Sequence, residues 1–235
     1  MLPERTSSKA RRTRATIIDA ALALFREKGF EETTMREVAD RAGLAVGAAY
    51  YHFRTKDEIL LALYEGTIDN SLERARFKSA KSADFADRVR DALDFRLAQL
   101  RPYKDFLGPL AGHALIPGSP LSPFAQETEE IRMRELALFE EIIHGSSLKV
   151  ALEFKSHLPR FLWLYQMSVI SFWLRDQSPS QERTERLIGL SLSLIMKLFA
   201  VTRVPVLRQA NGLILALLQL AAGPDASAER RVASA

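Results

Sequence analysis

The 235-residue chain is predicted to fold as an all-α protein with two modules, mainly because of how its apolar residues are spaced. Apolar side chains recur at intervals of about three and four residues along most of the chain, which is the period of one helix face. No stretch before residue 65 alternates with period two, as a half-buried strand would. Glycines, prolines and capping residues divide the periodic stretches into separate helices.

Four helices are predicted in the first module. The first covers residues 13–28 and ends at Gly29, which supplies a left-handed backbone position. Its apolar face is formed by Ile17, Ala21, Leu24 and Phe25. The capping box Thr34–Glu37 opens a short second helix, a third covers residues 46–52, and the capping box Thr55–Glu58 opens a longer fourth helix. Two short helices joined by a tight glycine-containing turn are typical of a helix-turn-helix, whose second helix enters the major groove of DNA.

The helical periodicity continues beyond a polar stretch, residues 71–84, that is predicted to join the two modules. Further helices are predicted at residues 85–100, 103–115, 123–144, 157–176, 180–202 and 205–222. Glycines and prolines interrupt the chain heavily between residues 108 and 123, where a long turn or an entrance to a pocket is expected. The small, polar residues 223–235 are predicted to form a disordered tail.

The positive charge of the chain is concentrated at its start. Residues 1–14 contain five Lys and Arg and one Glu, so they account for the whole formal net charge of +4. Residues 1–12 are therefore predicted to be a flexible basic arm, and its charge suits a nucleic acid before a membrane surface. The open alternative is a solvated tail with no partner.

Composition and spacing exclude several classes of function. Without cysteine, the chain has no disulfides, thiolate metal sites or cysteine nucleophiles, and its four histidines show no metal-binding spacing. The adjacent carboxylates Glu129–Glu130 and Glu140–Glu141 do not face each other on a helix, and no phosphate-binding loop accompanies them. We therefore expect no enzyme, no metal and no cofactor. No stretch reaches the ~20 apolar residues of a membrane span, and no secretory signal begins the chain, so the expected location is the cytoplasm, with no membrane partner.

A set of residue types at fixed spacings lies within residues 13–64. The set is Gly29-Phe30, Thr33-Thr34-Met35, Val38-Ala39, Ala42-Gly43-Leu44, Gly47, Tyr50-Tyr51-His52-Phe53 and Lys56. It resembles the TetR family of transcriptional regulators. The resemblance implies a helix-turn-helix DNA-binding domain over residues 13–64 and a helical ligand-binding and dimerisation domain over residues 65–222.

The resemblance also implies which residues contact DNA. In the family, the residues matching Tyr50, His52 and Lys56 commonly touch the DNA backbone, and Thr33 and Thr34 lie where hydroxyls and helix N–H groups can meet a phosphate. The full predicted DNA-binding set is Thr33, Thr34, Arg36, Ala45, Val46, Gly47, Ala48, Tyr50, Tyr51, His52 and Lys56.

The recognition helix, residues 46–52, departs from the family pattern. The family usually has polar residues at the positions of Ala45, Val46 and Ala48, none of which carries a hydrogen-bonding side chain here. Sequence readout is therefore expected to depend on apolar contact with thymine methyl groups, on Tyr50 or Tyr51, and on DNA shape. Two interpretations remain open: a sequence-specific DNA-binding regulator, and a helical dimeric interaction protein with degenerate DNA binding.

The second module is rich in large apolar side chains. The resemblance implies that some of them line an effector pocket, and apolar walls favour a small hydrophobic or aromatic ligand. The predicted ligand-binding set is Phe106, Leu110, His113, Phe124, Met133, Trp163, Tyr165 and Gln166. For each of these residues the alternative is the core or the dimer interface.

The helices predicted at 157–176 and 180–202 are apolar over more than one narrow stripe, so they need burial on two sides. The resemblance implies that they pair with their copies in a four-helix bundle, which makes a homodimer through residues 157–202. Such a dimer places two recognition helices on a palindromic double-stranded operator. Residues 205–222 are expected to cover this bundle or to widen the dimer contact. The resemblance also implies a repressor that an effector releases from DNA, which is the usual behaviour of the family.

Overall fold

The computed structural model describes residues 8–66, 82–110, 112, 118–150, 152–201 and 216. Over these residues the chain consists of helices and turns without strands, which confirms the all-α prediction. The helices are α1 (Ser8–Lys28), α2 (Met35–Arg41), α3 (Val46–His52), α4 (described over 56–66), α5 (Phe85–Leu100), α6 (Lys104–Leu110), α7 (Glu129–His144), α8 (Leu152–Lys155), α9 (Leu158–Arg175) and α10 (Glu182–Val201). Short 3₁₀ turns, Arg101–Tyr103 and Pro179–Gln181, precede α6 and α10.

Several helix ends differ from the predicted ones. Helix α1 begins at Ser8, so part of the stretch predicted as a flexible arm is helical, as suits its good helix formers. Helix α7 begins at Glu129 rather than near residue 123, because residues 123–128 form turns in which the Thr128 hydroxyl donates to the carbonyl oxygen of Ser122. The four-residue helix α8 was not predicted, since it is too short to show a period.

Some predicted elements lie outside the described residues. They are the end of the helix predicted at 103–115, the predicted linker up to residue 81, the helix predicted at 205–222 except for the helical Ala216, and the tail from residue 223. Among the helices that are described, none is long and apolar enough to cross a lipid bilayer.

The chain divides into two compact units. The first unit comprises residues 1–69 and 100–131, and the second comprises residues 70–99 and 132–235. Residues 100–131 therefore group with the helix-turn-helix, although the sequence places them in the second module. The domain limits 13–64 and 65–222 stay predictions.

One apolar cluster holds the first unit together. Ile17 of α1, Val38 of α2, Ala49 of α3 and Ile59 of α4 are each fully buried in it. Phe106 of α6 joins this cluster, with its ring centroid 6.1 Å from that of Phe25. Because every helix around the helix-turn-helix contributes to the cluster, α2 and α3 are fixed by side-chain packing as well as by their turn.

Candidate nucleic-acid interface

The start of α2 is fixed by the predicted capping box. The hydroxyl oxygen of Thr34 accepts a hydrogen bond from the Glu37 backbone N–H, and the Glu37 carboxylate accepts one from the Thr34 backbone N–H at 2.9 Å. Lys28 donates to the other carboxylate oxygen at 2.6 Å. The bonds from Lys28 and then from Thr34 lower the pKa of Glu37 to about 2. Glu37 is thus charged at neutral pH and suits the positive end of the helix dipole.

The two threonines before α2 have different surroundings. Thr33 is only 1% exposed, and its hydroxyl donates to the carbonyl oxygen of Gly29 at 2.8 Å, which closes the end of α1. Its side chain is therefore used inside the fold, contrary to the hydroxyl–phosphate contact predicted for it. Thr34 is exposed, although its hydroxyl also donates to Glu37 at 2.8 Å.

The recognition helix α3 turns small residues outward. Ala45, before its first residue, and Gly47 are exposed, whereas Val46 and Ala48 are half-buried. A Cβ atom added at Gly47 would meet nothing within 4 Å, so this position opens to solvent. A backbone this uncovered leaves room for close approach to a DNA groove, and the DNA contact of Gly47 stays a prediction.

Tyrosines complete the outer surface of α3. Tyr51 is 86% exposed and Tyr50 is 49% exposed, so neither is packed between helices. The half-buried His52 ring lies edge-on to the Tyr51 ring, with centroids 5.2 Å apart. On the opposite side of α3, Ala49 and the following Phe53 are buried in the core. The outward surface of α3 is therefore apolar apart from tyrosine hydroxyls and one imidazole.

Lys56, a predicted phosphate contact, also has a role inside the fold. Its ammonium group donates to the carbonyl oxygens of Phe30 at 2.6 Å and Glu31 at 3.1 Å, and it stands 4.6 Å from the centroid of the Phe30 ring. These contacts join the start of α4 to the turn before α2. Because an ammonium group has three N–H donors, a phosphate contact is compatible with both bonds.

The second capping box forms only in part. The Thr55 hydroxyl oxygen accepts from the Glu58 backbone N–H at 3.2 Å, as predicted. The Glu58 carboxylate accepts instead from the backbone N–H of Arg54 at 2.7 Å. The reciprocal bond therefore falls one residue earlier than the sequence pattern suggests.

The two arginines of α2, Arg36 and Arg41, differ in their contacts. Arg41 forms two hydrogen bonds to Glu27, at 2.6 and 2.8 Å, which lower the pKa of Glu27 and raise that of Arg41. Arg36 is exposed on the same helix. Arg41 is thus engaged within the unit, and the DNA contact of the exposed Arg36 stays a prediction.

In the second unit, two predicted ligand-binding residues meet at a buried carboxylate. Trp163 donates its indole N–H to Glu135 at 2.9 Å, and Gln166 donates its amide to the other carboxylate oxygen at 2.9 Å. Arg96 forms an ion pair with Glu135 at 2.8 Å, and both charged side chains are 1% exposed. Tyr165 shares a hydrogen bond of 2.6 Å with Ser191, and burial raises the pKa of Tyr165.

The other predicted ligand-binding residues are placed differently. Phe106 is a core residue of the first unit, because its ring packs against Phe25 and Tyr103. Phe124 is 63% exposed and Met133 is 54% exposed, so neither lines an enclosed cavity. The Leu110 side chain and His113 lie outside the described residues.

Sequence reasoning missed Glu135 and Arg96, although a signal was present. Glu135 follows the buried Ile131 by four residues and precedes the buried Leu138 by three, so it lies on the apolar face of α7. Arg96 lies three residues after the buried Leu93 on α5. A charged residue at an apolar-face position in each of two helices suggests a buried pair, since isolated charges are rarely buried.

The fold and the exposed α3 define a helix-turn-helix protein of the DNA-binding class. Residues 17–63 match the family described as bacterial regulatory proteins, tetR family, and residues 88–213 match the tetracyclin repressor-like C-terminal domain. The second match alone covers more than half of the chain. The chain therefore belongs to the TetR family of transcriptional regulators.

Curated relatives match the chain over about half of their own length. The chain is 29% identical over 109 residues to the transcriptional repressor KstR2 of Mycobacterium tuberculosis, covering 43% of this chain and 54% of the relative. It is 36% identical over 96 residues to the regulator CymR of Pseudomonas putida, covering 40% and 47%. The chain thus spans about half the length of the curated relatives it matches.

Solved structures share the fold at low sequence identity. FadR from Bacillus subtilis, in complex with stearoyl-CoA, is 19% identical with a TM-score of 0.59, over 76% of this chain and 97% of that chain. A TetR-family regulator from Syntrophomonas wolfei is 18% identical with a TM-score of 0.58, over 83% and 98%. These likenesses show the fold.

Proposed function

We propose that this protein is a ligand-responsive repressor that binds a palindromic operator as a homodimer in the cytoplasm and is released by a small hydrophobic or aromatic effector. The observation that carries the proposal is the outward surface of α3. Ala45, Gly47 and Tyr51 are exposed on it, while Ala49 on the other side fixes the helix in the core. A supported helix with an uncovered face is what major-groove binding requires.

The chemistry of this face favours a particular kind of readout. Alanine and valine side chains make apolar contacts with the thymine C5-methyl group, and they cannot hydrogen-bond to guanine or adenine. The proposed operator therefore contains thymines opposite Ala45, Val46 and Ala48. Tyrosine hydroxyls and the exposed Arg36 supply polar contacts to bases or phosphates.

An exposed apolar stripe on α10 supports the proposed homodimer. Leu190, Leu194 and Leu198 are 63%, 58% and 45% exposed in the single chain, and their four-residue spacing puts them on one side of the helix. A contiguous exposed apolar surface commonly marks an interface. The same stripe also fits the second candidate function, a dimeric interaction protein. A DNA-binding measurement is therefore needed to distinguish the two candidate functions.

The proposed effector site lies in the second unit, around the polar groups that meet at Glu135. Trp163 and Gln166 are buried there and combine an indole ring with fixed hydrogen-bonding groups, and small-molecule sites commonly combine apolar side chains with a few such polar groups. FadR structures of similar fold, from Bacillus subtilis and Thermus thermophilus, hold stearoyl-CoA and lauroyl-CoA. A ligand that binds one conformation better than another lowers operator affinity by linkage.

The test is a fluorescence-anisotropy titration of DNA taken from beside the protein's own gene, with unrelated DNA as control, at several salt concentrations. Gly47→Glu is compared with Gly47→Gln, which has the same size without charge. Both side chains project into open space, so both variants are expected to fold. The carboxylate repels DNA, and we expect Gly47→Glu to weaken selective binding at least ~100-fold relative to Gly47→Gln.

The outcomes separate the two candidate functions. Tight, salt-sensitive binding of one fragment by the unmodified protein supports the regulator, and release of that fragment by lauroyl-CoA supports an acyl-chain effector. Equal weak binding to both fragments, unchanged in Gly47→Glu, supports the interaction protein with degenerate DNA binding.

A further inference from the structure

Arg14 of α1 reaches the end of the recognition helix. Its Nη1 atom donates a hydrogen bond of 3.0 Å to the carbonyl oxygen of His52, the last residue of α3. The carbon at the centre of the guanidinium group lies 4.2 Å from the centroid of the ring of Phe53, the next residue. Arg14 therefore contacts two consecutive residues that lie 38 and 39 positions later in the chain.

Both contacts depend on properties particular to arginine. A cation near the C-terminus of a helix satisfies a carbonyl oxygen and interacts favourably with the helix dipole. The guanidinium group is planar, so its edge can donate to His52 while its face stacks on Phe53, whereas a lysine ammonium is a point charge. Since Phe53 is 1% exposed, the group rests on a ring that the core already holds in place.

The charges around Arg14 disfavour a contact with DNA. Arg14 and Phe53 border a cleft of about 200 Å³ that is also lined by four glutamates, Glu58, Glu65, Glu127 and Glu130. These carboxylates offset the charge of Arg14 and repel a DNA phosphate. Arg11 and Arg12, by contrast, are exposed on α1.

We infer that Arg14 is a positioning residue that fixes the C-terminal end of the recognition helix and so sets sequence selectivity without touching DNA. This inference rests on the proposed function, in which α3 reads the operator. It divides the basic residues at the start of the chain into two kinds. Arg11 and Arg12 remain available to phosphates, whereas Arg14 acts through His52 and Phe53.

The DNA test compares Arg14→Ala and Arg14→Lys with Arg12→Ala, which removes the same charge from the same helix. Removing a positioning residue weakens binding to the selected fragment and leaves the affinity for unrelated DNA unchanged. For Arg14→Ala we expect affinity for the selected fragment to fall about tenfold, with affinity for unrelated DNA and the salt slope unchanged. Arg14→Lys keeps the positive charge but loses the planar guanidinium group. The ratio of selected to unrelated binding is therefore expected to recover by less than half of what Arg14→Ala loses.

Two results would overturn the inference. If Arg14→Ala weakened binding to both fragments equally and reduced the slope of log affinity against log salt by about one, Arg14 would be a phosphate contact. Full rescue by Arg14→Lys would show that charge alone is sufficient. Arg12→Ala is expected to leave the ratio of selected to unrelated binding unchanged, because a phosphate contact acts alike on every sequence.

Amide hydrogen exchange without DNA tests the inference separately from the proposed function. Arg14→Ala is expected to speed exchange at the C-terminal end of α3, residues 49–53, while the α2 amides of Val38 and Ala39 keep their protection. Arg12→Ala is expected to change neither. Unchanged exchange over 49–53, or acceleration spread equally over α1 and α2, would overturn the positioning role. If the unmodified protein fails to select any fragment, the proposed function fails, and the exchange data still decide whether Arg14 holds α3.

Discussion

At the scale of single residues, Lys56, a predicted phosphate contact, has a clear role inside the fold. Its ammonium group joins the first turn of α4 to the carbonyl oxygens of Phe30 and Glu31, 26 and 25 residues earlier. A positive charge at a helix N-terminus is unfavourable, and these carbonyl oxygens offset that cost. They also hold the turn that leads into α2.

We therefore predict that Lys56→Met, which keeps most of the aliphatic stem, lowers the free energy of unfolding by about 1–2 kcal/mol. Urea denaturation followed by circular dichroism measures the change. Lys9→Met is the control, because Lys9 is exposed near the start of α1. An unchanged urea midpoint for Lys56→Met would contradict the prediction, because it would show that these bonds do not stabilise the fold.

At the scale of elements, Asp176 links the end of α9 to the start of α10. One carboxylate oxygen accepts from the backbone N–H of Thr184 at 2.9 Å and from its hydroxyl at 2.6 Å. The other accepts from the backbone N–H and the hydroxyl of Ser178. These bonds, the Thr184 hydroxyl first, hold the pKa of Asp176 below its usual range. The carboxylate thus satisfies a free N–H in the first turn of α10.

This pKa shift predicts how stability depends on pH. A carboxyl group whose pKa is lower in the folded state stabilises the fold above its unfolded pKa, near 3.8, and this contribution is lost as the pH falls below that value. We expect Asp176→Asn to be less stable than the unmodified protein at pH 7 and the difference to shrink below about pH 4. Urea denaturation between pH 3 and pH 7 measures it.

The control for this prediction is Asp19→Asn, since Asp19 is exposed on α1. Its stability is expected to follow that of the unmodified protein across the same pH range. A difference between Asp176→Asn and the unmodified protein that stays constant down to pH 3 would contradict the prediction, because it would not depend on the carboxylate charge.

Most helices of this fold could be predicted from the sequence, and the exceptions have physical causes. Helices α5, α9 and α10 begin and end within about two residues of the predicted positions, because each is long and periodic. The turn before α10 uses left-handed backbone at Ser180 and Gln181, where the sequence offers no glycine. The hydrogen bonds from Ser178 and Thr184 to Asp176 span this turn, and they join residues up to eight positions apart.

The helices of the helix-turn-helix were easier to predict than the partners of buried side chains. Short-range motifs such as Thr34–Glu37 specify the helix-turn-helix locally, so its residues could be placed by spacing alone. The bonds from Lys56 to its carbonyl partners and the ion pair between Arg96 and Glu135 join segments that are distant in sequence. Periodicity shows that a residue faces a core but does not show what it meets there.

At the scale of the whole molecule, the described part of the chain leaves a row of large apolar side chains exposed on α10. Leu190, Leu194 and Leu198 lie on the side of the helix opposite its buried face, which includes Ile188 and Leu192. Exposed leucines at four-residue spacing are costly in water, and a second copy of the same helix would cover them. A two-fold axis along this row makes the interface self-complementary, since each leucine then faces leucines of the other copy.

Leu194→Glu therefore tests the proposed homodimer directly. Leu194 is 58% exposed in the single chain, so the change is expected to leave the fold of each chain intact. In a symmetric dimer it buries two carboxylates against apolar side chains and against each other, and we expect the dimer dissociation constant to rise at least ~100-fold. Sedimentation velocity measures the mass, and Leu194→Met, which keeps the apolar surface, is the control.

The same variant connects assembly to DNA binding. A palindromic operator gains affinity because two recognition helices on one dimer bind as a unit, so a monomer should lose affinity for the full site but retain its contacts with one half-site. We expect Leu194→Glu to bind the full operator and an isolated half-site about equally, whereas Leu194→Met should strongly prefer the full operator. A Leu194→Glu protein with an unchanged mass would place the dimer interface elsewhere. A monomeric one that still prefers the full operator would show that the two half-sites are bound independently of this interface.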